Sequence, residues 1–148
     1  MFDRILVVCQ GNICRSPVGM AMLQQRLPER DVQSAGLGAL VGHPAEPLAA
    51  ELAAEDGLDL EEHRARQLTA DMLQWADLVL VMSDRQRRGV SGLDPVATGK
   101  TMLFGHWLGN DSEIPDPYRK SRDAFVHVHK KLNRAADAWQ HRLQDGND

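Results

Sequence analysis

A cysteine and an arginine bracket five residues near the start of the chain, Cys9-Gln10-Gly11-Asn12-Ile13-Cys14-Arg15, and Ser16-Pro17 follow them. A thiolate is the attacking form of cysteine, and a guanidinium presents a planar fork that donates two parallel hydrogen bonds to a tetrahedral oxyanion, which a lysine cannot match. The chemistry open to this pair is attack by Cys9 on an anionic group held by Arg15. The residues between them fit that use. Gly11 permits close backbone approach, and successive N–H groups of such a loop can turn inward as a nest for a dianion. The Ser16 hydroxyl can donate back to Cys9, holding the sulfur and helping it leave, while Asn12 can pin the loop through side-chain hydrogen bonds. A nucleotide-binding loop would need Gly-Lys followed by Ser or Thr, and a dithiol redox motif would need Cys-x-x-Cys; neither is present.

The elements that must position these residues are legible in the flanking sequence. Ile5-Leu6-Val7-Val8 is short and β-branched enough for a buried parallel strand, and Ser16-Pro17 read as the N-cap and first turn of a helix running to Leu27, where Pro28 closes it. Cys9 thus leaves a strand end and faces a helix N-terminus, whose partial positive charge favours both an anion and a thiolate. Asp31 to Gly36 reads as a second strand, Leu48 to Glu55 as an alanine-rich helix stopped at Gly57, and Thr69 as the cap of a short helix to Trp75. Asp77 to Met82 is a second central strand, with Ser83 capping a short basic helix, Asp84 to Gly89, whose Arg85, Arg87 and Arg88 read as a solvent-facing cluster suited to an acidic peptide. Thr101 to Phe104 is a brief edge strand. From Ser121 a long amphipathic helix repeats apolar residues every three or four positions, and residues 145–148 read as a frayed tail.

Three connections remain. Residues 36–44 carry three glycines among apolar residues and read either as a mobile loop at the mouth of the pocket or as an ordinary connection whose Leu40 plugs the core, while 60–68 includes His63, Arg64 and Arg66, which could face an anionic substrate but read rather as solvated charges on a connecting segment. Pro115-Asp116-Pro117-Tyr118 is stiff, because two prolines fix φ on either side of Asp116 and hold its carboxylate on a rigid arm. Alternating strand and helix signals over 148 residues predict one doubly wound α/β domain, residues 1–148, with a four-stranded parallel sheet and helices on both faces. Ligands of such sheets bind beyond the carboxyl ends of the strands, where Cys9 sits.

Composition narrows the partners. With 17 basic and 21 acidic residues the net charge is −4, which argues against a nucleic-acid binder working by phosphate neutralisation. No stretch approaches the ~20 apolar residues of a membrane span, and the N-terminus does not suit a signal peptide, so a soluble cytoplasmic protein without membrane insertion is expected. Two cysteines in one loop are no disulfide framework; Cys14 is either a trap that closes a disulfide with oxidised Cys9 or a small buried residue. The histidines of the last helix lack metal-ligand spacing, and neither metal nor organic cofactor is expected.

Cys-x-Gly-Asn-Ile-Cys-Arg-Ser-Pro near the N-terminus resembles the low-molecular-weight protein tyrosine phosphatases, and the resemblance runs from Met1 to the final helix. It implies strand order 2-1-3-4, places Ser34 beside the phosphate loop as a partner for Asn12, and makes Leu40 or Leu37 the variable wall where eukaryotic members carry an aromatic. It also implies the roles of the site. Cys9 attacks the phosphorus of phosphotyrosine, Arg15 and the loop amides of Gln10 to Cys14 hold the equatorial oxygens, and Asp116 protonates the leaving phenolate and then activates water. Tyr118 forms one wall of the pocket. The family often carries a second aromatic after it; Arg119 stands there instead.

Within the family, residues 34–42, 103–107 and 114–121 are similar to the Gram-negative phosphatases that accompany exopolysaccharide and capsule export. This implies a phosphotyrosine substrate on the tyrosine-rich tail of a membrane-bound autokinase, and a monomeric enzyme. An arsenate reductase on the same fold would need relay cysteines downstream of Cys14. Protein-arginine phosphatases of the family tend to carry threonine at the position of Ile13, and a non-catalytic phosphotyrosine-binding module would lack the nucleophile, the arginine or the acid.

Overall fold

The computed structural model describes residues 2–145; of the frayed tail expected at 145–148, Asp145 is the last residue of the final helix and 146–148 lie outside the described residues. Four parallel strands, β1 (Arg4–Cys9), β2 (Asp31–Gly36), β3 (Leu78–Val81) and β4 (Thr101–Leu103), form an open sheet in the order β2-β1-β3-β4. The helices are α1 (Arg15–Arg26), α2 (Pro47–Glu55), α3 (Ala70–Trp75), α4 (Asp84–Leu93) and α5 (Arg122–Asp145). The order expected from the family resemblance is the one observed.

The period of two along β1 explains the layering. Ile5, Val7 and Cys9 point into a core shared with Val18 and Met22 of α1, Leu52 of α2 and Phe125, Leu132 and Trp139 of α5. Leu6 and Val8 point the other way, towards Leu73 of α3, Val90 of α4 and Ala97. With both faces covered, β1 reads as a continuous apolar run, and each fully buried Leu, Ile or Val contributes about 1.5–3 kcal/mol. Cys9 therefore enters its loop from a central strand that is buried from Ile5 onward.

Two expected boundaries move. Cys14, not Ser16, occupies the N-cap of α1 and makes no side-chain cap bond; Ser16 and Pro17 lie inside the first turn. The Ser16 hydroxyl is committed to the loop, which leaves none for capping. The basic helix α4 runs four residues beyond Gly89, to Leu93, because buried Val90 anchors the second half that Gly89 and Gly92 would weaken. Gly57 ends α2 in the left-handed region, at φ 79°.

Candidate active site

Cys9, Gln10, Gly11, Ile13, Cys14, Arg15, Leu40, Asp116 and Tyr118 line one cavity of about 170 Å³ together with Gly38, at the carboxyl end of β1. Asn12, Ser16 and Ser34 lie behind it, and a directed chain of hydrogen bonds runs through them to the sulfur. The backbone N–H of Arg66 donates to Asn12 Oδ1 (2.8 Å), which fixes the orientation of the amide. Asn12 Nδ2 then donates to Ser16 Oγ (2.7 Å) and to Ser34 Oγ (3.0 Å). Ser16 Oγ lies 2.9 Å from Cys9 Sγ; having accepted from Asn12, it has its own proton to give to sulfur. Asn12 is fully buried at φ 59°, a conformation that asparagine tolerates better than most residues.

Arg15 is 4% exposed. Its Nη1 donates to the Ile114 carbonyl (2.8 Å), its Nη2 lies 3.6 Å from Asp116 Oδ2, and its Nε is buried with no partner among the described residues. A guanidinium fixed at one corner by a backbone carbonyl leaves the other donors for an oxyanion in the cavity. Asp116 Oδ1 accepts the Tyr118 N–H (3.0 Å), so this carboxylate is held by its own turn, half exposed at the mouth. Tyr118 is 39% exposed, with the Arg119 guanidinium 5.2 Å from its ring centroid.

Of the two readings of 36–44 the ordinary connection fits better than the mobile loop: the N–H groups of Leu37, Gly38 and Leu40 donate to the carbonyls of Cys9, Gln10 and Gly11, and half-buried Leu40 packs against the core. Gly36 is required for this approach, since a Cβ there would sit 2.7 Å from the Gln10 carbonyl. The carboxamide of Gln67 clasps the same segment, accepting from Ala39 N–H and donating to Leu37 carbonyl.

The reading of 60–68 as solvated charges is corrected at two residues. His63 Nε2 donates to the Asn12 carbonyl (2.7 Å), and the Arg66 guanidinium donates to the Ser34 carbonyl (3.1 Å) besides giving its N–H to Asn12. Burial, the largest cause, holds the His63 imidazole below its ordinary titration range, so it supports the loop in its neutral form. No spacing rule reaches these contacts, which span 32 to 54 residues. Lys131 was also missed: buried at 3% exposure, it donates to Asp111 Oδ1 and to the Glu113 carbonyl, fastening the segment before Asp116 to α5. A lysine inside an apolar helical stripe was the available signal. Cys14 is buried, and its thiol is pushed up chiefly by that burial and then by the neighbouring charge of Cys9, so it stays protonated.

An open parallel sheet that ends its central strand in a thiol, with a buried guanidinium and an amide loop around one cavity, describes an α/β protein built to hold an oxyanion against sulfur. Residues 4–147 match the model of the low molecular weight phosphotyrosine protein phosphatase family, and the chain belongs to that family of hydrolases. It is 53% identical over 142 residues to the Escherichia coli K12 low molecular weight protein-tyrosine-phosphatase Etp, covering 96% of this chain and 95% of the relative. The crystal structure of the Erwinia amylovora tyrosine phosphatase AmsI superposes with a TM-score of 0.91 at 52% identity, covering 94% of this chain and 91% of that one. The tyrosine phosphatase Wzb from Escherichia coli K30, solved in complex with sulphate, superposes with a TM-score of 0.94 at 48% identity, covering 97% and 99%.

Proposed function

We propose that the chain is a cysteine-dependent phosphotyrosine phosphatase working by two displacements at phosphorus. The observation that carries the reading is the single loop in which Cys9 Sγ, 2.9 Å from Ser16 Oγ, shares a cavity with a guanidinium that still has a buried donor to give. Sulphate bound to the Wzb relative supports a tetrahedral dianion as the occupant. Cys9 thiolate attacks phosphorus in line, and the S–P bond forms as the bond to the tyrosine oxygen breaks. Arg15 and the loop amides follow the equatorial oxygens through the transition state. Asp116 gives its proton to the phenolate, then takes one from the water that hydrolyses phospho-Cys9 and returns the thiolate. Ser16 stabilises that thiolate as it leaves. Proton donation matters because a phenolate of pKa ~10 leaves poorly at neutral pH, and a positioned acid contributes about 10²–10⁴-fold.

The test is Asp116→Ala on aryl phosphates of graded leaving-group acidity. The loss should be large for phenyl phosphate and small for a nitrophenyl ester that needs little protonation; an equal loss on both would remove Asp116 from the acid role. The same variant, slow yet still able to bind, should retain phosphotyrosine proteins from a lysate. The segments resembling polysaccharide-export phosphatases, together with the high identity to Etp and to the Wzb and AmsI structures, support an autokinase tail as the physiological substrate. A lysate of a capsule-producing strain that yields no tyrosine kinase would overturn that assignment and leave the chemistry standing. Ile13 favours phosphotyrosine over phosphoarginine, and matched peptides of the two kinds decide between them.

A further inference from the structure

Beside the catalytic cavity, and sharing Gln10, Arg15 and Asp116 with it, a second open groove of about 510 Å³ runs towards α4, where Arg85 and Ser83 form its far side. We propose that this groove receives an anionic side chain of the same polypeptide that carries the phosphotyrosine, with Arg85 as its recognition residue. The inference rests on the phosphotyrosine phosphatase reading above.

The structure separates the three arginines of α4. Arg88 is already paired with Asp84 across one helical turn (3.4 Å), and Arg87 does not line the groove. Arg85 lines it, is exposed, and has neither ion pair nor hydrogen bond among the described residues. The acidic groups that might have neutralised it are engaged elsewhere. Asp84 holds Arg88, Glu113 Oε2 accepts the Asp84 N–H (2.9 Å), and Asp116 faces Arg15 and the Tyr118 N–H. An unneutralised guanidinium thus faces a groove continuous with the phosphate cradle. A chain lying across the mouth, with its phosphotyrosine in the cavity, would pass along this groove. A carboxylate or a second phosphate is the chemistry that a free guanidinium fork selects there.

The experiment compares kcat/KM for phosphotyrosine peptides in which one glutamate is walked through the positions flanking the phosphotyrosine, against the parent with neutral flanks. In the wild type, one position should raise kcat/KM roughly three- to five-fold, the size expected of a solvent-accessible ion pair. Arg85→Ala should abolish that gain, and Arg85→Glu should shift the preference at that position to lysine. Placing a second phosphotyrosine there identifies the source of the anion: a larger gain than glutamate gives assigns the groove to multiply phosphorylated segments, an equal gain to acidic sequence. If no position shows a gain in the wild type, or if the gain survives Arg85→Ala, the groove is not a subsite and Arg85 is a solvated surface charge. Failure of the wild type to hydrolyse even the neutral-flanked parent would instead overturn the phosphatase reading.

Discussion

The sulfur of Cys9 is addressed by a chain of donors in which each residue is oriented by the one before it: Arg66 N–H to Asn12, Asn12 to Ser16, Ser16 to Cys9. Charge and geometry therefore have separable roles, and substitutions should separate them. Cys9→Ser should abolish turnover while vanadate still binds, because the amide loop and Arg15 remain; appreciable hydrolysis by this variant would exclude the covalent route. Arg15→Lys keeps the charge but loses the fork and the bond to the Ile114 carbonyl, so both vanadate affinity and rate should fall by an order of magnitude or more, about 1.4 kcal/mol for each tenfold. Cys9, Arg15 and the loop between them were legible in the sequence because the thiol, the guanidinium and the start of a helix stand within one short stretch. Asn12 was legible as a pin, and the family resemblance suggested Ser34 as its partner. His63 and Arg66 were not, since a segment of mixed charge looks the same whether its polar groups meet water or a carbonyl 51 residues away.

At the scale of elements, the arm that carries Asp116 depends on a residue far from it. Lys131 on α5 donates to Asp111 and to the Glu113 carbonyl; the next residue, Ile114, gives its N–H to the Met82 carbonyl and accepts from Arg15. Replacing Lys131 by methionine keeps the shape of the stem but removes its part-buried bond to the Glu113 carbonyl, a loss of about 0.5–1.5 kcal/mol in unfolding free energy. Because the arm also carries Asp116, the variant should lose more rate on phenyl phosphate than on a nitrophenyl ester. An equal loss on both would make Lys131 purely structural. The strands and long helices could be read directly, since period two along β1 and the three-to-four repeat of α5 follow from burial on one face. The end of α4 could not, because glycine at 89 and 92 argues locally for a stop and only the tertiary contact of Val90 overrides it. For Ser16 the sequence suggests both a helix cap and a bond to the Cys9 sulfur; the same hydroxyl suits either partner, and the fold shows the second.

For the whole molecule, the support of the phosphate loop by a neutral His63 links folding to pH. The unfolded chain takes up a proton at this residue near the ordinary value of 6.5, whereas the folded chain does so only at lower pH, so the unfolded state binds more protons between the two. His63 should therefore contribute its full stability above about pH 6.5 and lose it progressively as pH falls through the lower folded value. Urea unfolding at about pH 7.5 and 5.5 should show this loss, and His63→Gln should flatten it. Asp56, held low by Asn133 and His129, and Asp77, held low by Arg4, act in the same direction, their contributions being lost as pH falls below the ordinary value of 3.8. Phosphorus should pass through Cys9, and acid-quenching Asp116→Ala during turnover of a nitrophenyl phosphate reads that step. That leaving group needs no acid, so the first displacement proceeds, while the second lacks its base and the intermediate accumulates. Peptide mass mapping should find one phosphoryl group on the peptide containing Cys9, and none when the nucleophile is absent. Sustained turnover with Cys9 unmodified, or phosphorus found on any other residue, would contradict the mechanism.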